Sequence, residues 1–215
     1  MAGNKVTFGL SNVHIGEYKV GTDGAATLGT PMALPGAVSL SLDPETLEIE
    51  FYADNVKYYA QNGDNGFSGS LEVAMFTKEI KLALMGYAET ADGGIVNIKG
   101  MNKPAVYIAF EAKGDAQNSR GLLLNVSMGP IKHEHKTNED KVDVETDSVD
   151  ITVTGDNSTG MTLVEYPPEA TGYSTLFTAP KMPTLKPGSQ SANTGKSNSL
   201  IFRRGKSPPL VLLGE

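Results

Sequence analysis

Two of the three histidines in this chain stand together, in His133-Glu134-His135. On an extended strand, residues i and i+2 project to one side, so the two imidazoles could share a metal ion. A third protein ligand is still needed, and the remaining histidine is His14. The flanks, KHEHKTNEDK, are polar throughout, which reads as a solvated connection without metal. Carboxylates are dense in NEDKVDVETDSVD (138–150). Glycoside hydrolysis needs two of them, one in an apolar setting that raises its pKa. Here the acids alternate with apolar residues and fall on the wet face of strands. Gln61–Gly66 (QNGDNG) hints at a calcium loop, but the EF-hand spacing with its closing glutamate is missing. No GxSxG, P-loop or GxGxxG fingerprint of useful specificity occurs. With no cysteine at all, disulfides, thiolate metal sites and thiol catalysis drop out. No catalytic residue, metal ligand or cofactor is assigned.

Behind these residues stands a chain of 215 residues, with 18 Lys+Arg against 25 Asp+Glu and a net charge of −7. That length suits one domain with arms. The negative balance argues against a protein that grips nucleic acid, because phosphate binding needs surplus Lys and Arg. No apolar run approaches the roughly 18 residues of a membrane helix, and MAGNKVTFGL lacks the apolar core of a secretory signal. A soluble protein is expected, ending where it is made or in something assembled there. Charge is uneven. Residues 181–215 carry six bases and one acid, a net +5, which leaves −12 on residues 1–180. The stretch from Lys181 to Ser199 is rich in Pro, Gly, Ser and Asn. It reads as a linker or arm that cannot offset its own ordering entropy. The final segment, SLIFRRGKSPPLVLLGE, places two prolines between short apolar runs, which suits either a docking segment or a dispensable extension.

Alternation dominates the body. Val38, Leu40 and Leu42, then Leu47, Ile49 and Phe51, then Leu71, Val73 and Met75, then Leu122, Leu124, Val126 and Met128 each repeat at period two, the mark of half-buried strands. AVYIAF (105–110) is apolar on both parities and reads as a central strand covered on both faces. In VDVETDSVDITVT the apolar parity switches between Val142/Val144 and Val149/Ile151/Val153, which calls for a bulge or break near Asp147–Ser148. TKEIKLALMGY gives one short helix, with Thr77 as N-cap, Ile80, Ala83 and Leu84 on one face, and Gly86 at the left-handed stop. Turns are read at DPET (43–46), QNGDNG (61–66), ADGG (91–94), KGDAQNS (113–119) and TGDNSTG (154–160). The first 35 residues hold one strand near Lys5–Leu10, then a Gly/Thr-rich stretch that looks like an arm or extended loop. The expected fold is mainly β, a β-sandwich with one short flanking helix, an N-terminal arm and a flexible C-terminal extension. The divisions are 1–36 (arm with first strand), 37–180 (sandwich) and 181–215 (basic extension).

FYADNVKYYA (51–60) gathers Phe51, Tyr52, Tyr58 and Tyr59. With the turn after it, this suggests a protruding hairpin, and exposed aromatics on a protrusion suit an interface. Phe51, Tyr52, Tyr58, Tyr59, Asn62, Asp64 and Phe67 are the candidate contact residues.

The ordered set LPGAVSLSLDPE (34–45), FYADNVKYY (51–59), NGFSGSLEVAMF (65–76) and MGY (85–87), together with NKVTFGLSNVH (4–14), resembles the major tail tube proteins of long, non-contractile-tailed bacteriophages, in particular those of Gram-positive hosts. The resemblance covers roughly residues 4–155. No second, immunoglobulin-like domain follows, as it does in some relatives, and no family role carries onto residues 181–215. The resemblance implies a structural virion protein rather than an enzyme. It implies hexameric rings stacked into a tube, with an inner β-barrel wall and joints made by an N-terminal arm, a long hairpin and a C-terminal arm. The implied partners are other copies of the chain, a tape measure protein, a tail terminator and distal tail or baseplate proteins. Genomic DNA would pass through without specific binding, no membrane is involved, and assembly would occur in the host cytoplasm. An acidic bore suits such a role, because negative walls repel phosphate. Glu48, Glu50 and Glu72, on wet strand faces, are the candidate bore acids. The alternative is a stand-alone β-sandwich binding module for carbohydrate or a host surface, against which the absence of Trp counts mildly.

Overall fold

The computed structural model describes residues 9–53, 56–112, 118–133 and 145–187, without the side chains of 49–53 and 56–62. Val142, Val144, Glu134, His135, part of the 113–119 turn, and 188–215 fall outside the described residues. Among those described, eleven strands and one helix form. They are β1 (Leu10–Val20), β2 (Ala26–Leu28), β3 (Met32–Ala33), β4 (Ala37–Ala53), β5 (Val56–Val73), α1 (Lys78–Leu84), β6 (Tyr87–Glu89), β7 (Ile95–Asn97), β8 (Val106–Ala112), β9 (Arg120–Lys132), β10 (Asp147–Val153) and β11 (Leu163–Tyr166). The chain is therefore mainly β, as the alternation predicts.

The layers come from one sheet that curls. Its order is β2-β1-β8-β9-β10-β5-β4, with β3 added to β1 and β11 added to β9, while β6 and β7 form a separate hairpin. Residues 32–37 bring the two ends together. Met32 and Ala33 pair with Ile15 and His14 of β1, and the Leu34 amide donates to the Val13 carbonyl at 2.8 Å. Three residues on, Ala37 is already paired with Val73 of β5, and the Ala74 amide donates to the Gly36 carbonyl at 2.7 Å.

Inside the curl lies the main core, including Val13, Ile15, Leu71, Val73, Ile108, Leu123, Val126, Val149 and Ile151. Burying each such side chain contributes about 1.5–3 kcal/mol. Helix α1 closes one end with Ile80 and Leu84. Thr77 caps it, its hydroxyl accepting from the Ile80 amide at 3.5 Å, and Gly86 ends it with φ +70°. Ala83, expected on the buried face, is exposed; a helix this short buries only the two positions directly above the sheet. On the outer side of β8 and β9 a second cluster forms from Tyr18, Tyr107, Ala109, Leu122 and Leu124, covered by Leu176, Phe177 and Met182 of the returning chain. β8 is thus sandwiched on both faces, as its apolar run predicts.

Several expectations need correction. The strand expected at Lys5–Leu10 lies, up to residue 8, outside the described residues; the stretch after it, expected as arm or extended loop, instead begins with β1, which runs through the core with Val13, Ile15 and Tyr18 buried. DPET lies inside β4, where Pro44 is accommodated because β4 is an edge strand and needs no amide on its open side. QNGDNG lies inside β5, and the hairpin turns between Ala53 and Val56 instead. Leu122 and Leu124 do not share a face with Val126 and Met128. The first pair joins the outer cluster and the second pair the inner core. Asn125, at φ +52°, is an extra residue in β9, since Val106 pairs with Val126 but Ile108 pairs with Leu123. That bulge flips the strand's parity. Val38 is also an inserted residue, between the Ala37–Val73 and Ser39–Glu72 pairs, and it points outward at 53% exposure.

Candidate assembly surface

The register of β4, β5 and β10 composes one polar face. Across it run Ser39, Ser41 and Asp43 on β4, Glu72, Ser70 and Ser68 on β5, and Ser148, Asp150 and Thr152 on β10, each facing its neighbour in the ladder. The alternate residues Leu40, Leu42, Leu71, Val73, Val149 and Ile151 are the ones packed inward. Glu72 accepts from the Ser39 hydroxyl at 3.1 Å and from the Thr146 hydroxyl at 2.6 Å. Asp150 holds the Lys132 ammonium at 2.6 Å. The face is therefore short hydroxyls with interspersed carboxylates.

From this sheet the β4–β5 hairpin extends alone. β10 accompanies β5 only from Val73 to Phe67, while the β4–β5 pairing continues to Ala53 and Val56. At about 3.3 Å per residue its nine β4 residues, 45–53, carry the free ribbon roughly 30 Å beyond the sheet. Gly66 marks the departure. Its φ is +95°, the backbone is bulged there, and a Cβ would collide with the Val153 carbonyl, so only glycine fits. The Asp64 carboxylate steadies the bend by accepting from the Gly66 amide at 2.9 Å. Among the described residues, β4 pairs along its whole length with β5 alone, so its other edge offers a place for another strand.

The sequence candidates distribute as follows. Phe51 pairs with Tyr59, Tyr52 with Lys57, and Glu48 with Asn62 in the ribbon ladder; of these side chains, only Glu48 is described, and it is exposed. Asp64 is exposed opposite Thr46, and Phe67 is half-buried against the main core. Glu50 pairs with Ala60. Glu48 and Glu72 do not share a face, because Glu72 faces Ser39 while Glu48 has the opposite parity on β4. His133 lies at the end of β9, its Nδ1 3.2 Å from the Asp147 carboxylate.

Two anchors escaped the sequence reading. Asp156, read only as part of a turn, is 2% exposed. It accepts from the Tyr18 hydroxyl at 2.6 Å, from the amide and hydroxyl of Ser158 at 3.2 and 2.6 Å, and from the amide and hydroxyl of Thr159 at 2.8 and 2.6 Å. Burial alone would raise its pKa, but these donors outweigh burial and hold it at about 2. The Tyr18 phenol is pushed well up by burial and by its carboxylate partner. The signal was Asp followed by Ser and Thr at the second and third positions, the pattern of an Asx turn. The second anchor is Arg120. Its guanidinium lies 3.9 Å from the Tyr173 ring centre and 4.5 Å from that of Phe177, and it donates to the Tyr173 carbonyl. It pins the returning chain, and no local pattern announces it.

No protein-family model matches this sequence, and no curated protein does. Among solved structures, the chain is similar to the tube-terminating cap of the anti-feeding prophage, at 10% identity and a TM-score of 0.40, covering 76% of this chain and 95% of that one. It is also similar to a chain of the PVC extracellular contractile injection system sheath–tube complex, at 9% identity and a TM-score of 0.38, covering 73% and 88%. A chain of the sheath/tube terminator of the same system gives 10% identity and a TM-score of 0.38, covering 75% and 98%. At these values the likeness carries no argument about function.

Proposed function

We propose that this chain is a structural subunit of a tail tube of the phage type, whose copies close into hexameric rings and stack around a bore that conducts DNA during ejection. The observation that carries the reading is the β4–β5 ribbon, standing roughly 30 Å clear of a curled sheet. A two-stranded ribbon in water is marginal by itself, so a long one has its use where another surface receives it. The open edge of β4 points the same way, because a ring of subunits would occupy it and remove the aggregation hazard. The resemblance of residues 4–155 to major tail tube proteins supplies the identity of the assembly.

The bore wall is assigned to the hydroxyl face with Asp43, Glu72 and Asp150. Short side chains and negative charge offer phosphate no binding site. Glu48 and Glu50 belong to the ribbon, and with Phe51, Tyr52, Tyr58, Tyr59, Asn62, Asp64 and Phe67 they are placed at the joints between subunits. In this reading the chain acts by assembly rather than catalysis. Its partners are its own copies, a tape measure protein, a terminator and distal tail proteins, in a virion put together in the host cytoplasm. Negative-stain electron microscopy across a concentration series, beside light scattering, tests it. Rings or hollow tubes with a sixfold end-on view are expected. A particle that stays monomeric at every concentration and ionic strength, and that binds a glycan, would overturn the reading in favour of a binding module.

A further inference from the structure

The sheet that carries the hydroxyl face has two edges, and one of them is held by a lysine. Its strands lie in the order β9-β10-β5-β4, each antiparallel to the next. β8 accompanies β9 only as far as Val126. From Ser127 to Lys132, β9 pairs with β10, and among the described residues no strand lies on its other side. Lys103, just before β8 begins, comes from that side. Its ammonium donates to the Gly129 carbonyl at 2.9 Å and to the Met128 carbonyl at 3.5 Å, where β9 is bulged against β10. Pro130 gives up one amide there, as an edge strand allows. The Lys103 stem lies against Gly86, the stop of α1. Burial pulls its pKa below the usual lysine value. A partly desolvated charge held by two carbonyls loses little when it returns to water, so another donor can displace it.

The far edge of the same sheet is β4. Three antiparallel steps separate it from β9, so the two edges run in opposite directions. A second copy turned about an axis along the strands therefore brings its β4 antiparallel to this β9, with both hydroxyl faces on one side. The lengths agree. Ser127–Lys132 spans about 20 Å, and β4 lies along the sheet from Ala37 to Pro44, about 26 Å, before the ribbon departs. The charges agree as well. Ser127–His133 together with Lys103 brings two lysines and no acid, whereas Ala37–Glu48 brings Asp43, Glu45 and Glu48 and no base. We infer that Lys103 is a gate on the receiving edge: in the free subunit its ammonium occupies carbonyls that an incoming strand's amides need, and β4 of a second copy displaces it. A lysine at a strand edge discourages pairing, and this one can swing away on its flexible stem. The inference rests on the ring reading above, and adds to it the edge that receives β4 and the group that controls that edge.

Lys103→Met keeps the stem over Gly86 and removes the ammonium. Light scattering across a concentration series should show this variant assembling at a threshold about fivefold or more below that of the native chain, the factor expected from one hydrogen bond of a charged group. Circular dichroism checks its fold, and Lys103→Gln serves in its place if the methionine variant does not fold. The joint itself is read by mixing two chains, Ser41→Cys and Ser127→Cys, and bridging them with a short bismaleimide, since the protein has no other cysteine. Both serines are exposed on the hydroxyl face. Mixed dimers are expected, in higher yield when both chains also carry Lys103→Met. A folded variant that assembles at the native threshold or above it would overturn the gate, and so would mixed dimers that form equally with and without the lysine. Electron microscopy of the same samples reads the rings separately. Rings without the bridge would sink the gate and leave the tail reading standing. Bridged dimers favoured by Lys103→Met that never close into rings would do the reverse, and chains that stay monomeric and unbridged would sink both.

Discussion

Replacing Asp156 by asparagine tests whether the buried carboxylate between β1 and the β10–β11 loop holds the curl together. The aspartate accepts five hydrogen bonds at 2.6–3.2 Å while 2% exposed. Its pKa is about 2 in the fold against an ordinary 3.8. At neutral pH that difference is worth about 2 kcal/mol of stability. The sign follows from proton uptake. The unfolded carboxyl protonates first, so the contribution is whole above about pH 4 and is lost as pH falls through about 2. Roughly half is gone by pH 3. An asparagine keeps one oxygen but turns an NH2 toward groups that are themselves donors, leaving a buried donor unmatched at a cost of about 1–3 kcal/mol. Asp156→Asn should therefore lose about 2–3 kcal/mol at pH 7. The gap should narrow by about 1 kcal/mol at pH 3, because the native carboxylate is by then losing its own advantage. Urea unfolding followed by circular dichroism and tyrosine fluorescence measures this cleanly, as the chain contains no tryptophan. A deficit equal at pH 7 and pH 3 would refute the account of Asp156 as a hydrogen-bonded carboxylate in the fold, and so would no deficit at all.

Asn125, at φ +52° in the β9 bulge, should tolerate glycine far better than alanine. Asn125→Ala is expected to cost about 1–2 kcal/mol in urea unfolding and Asn125→Gly markedly less, although its amide also donates to the Gly155 carbonyl at 2.7 Å. If alanine and glycine cost the same, backbone strain is not what that position manages. If the proposed tube forms, Asp43→Lys with Glu72→Lys on the hydroxyl face should leave ring assembly intact and slow DNA exit in a reconstituted phage, as timed by dye release; unchanged ejection kinetics would remove this face from the proposed bore.

What could be read from the chain, and what could not, divides along a physical line. Period two announces a strand because it depends only on which residues are half-buried. Thus β5, β8 and β10 could be found, and α1 with them, since Thr77 and Gly86 mark its ends by local chemistry. Register is another matter. It depends on which partner lies opposite, and a single inserted residue reverses the faces. Leu122, Leu124, Val126 and Met128 keep perfect alternation in sequence, yet Asn125 divides them between two cores. Pro44 and the glycines of QNGDNG look like turns to any local reading. They are tolerated inside strands because β4 has a free side and because β5 bulges at Gly66. The inserted residues at Val38, Gly66 and Asn125 share a consequence: bulges bend a strand and increase its twist. A sheet of this width without them would lie more open. With them it curls until residues 32–37 can bridge β1 to β5, and the ribbon leaves at Gly66 instead of continuing beside β11. The features least visible in the sequence are therefore the ones that shape the surface on which assembly is proposed to depend.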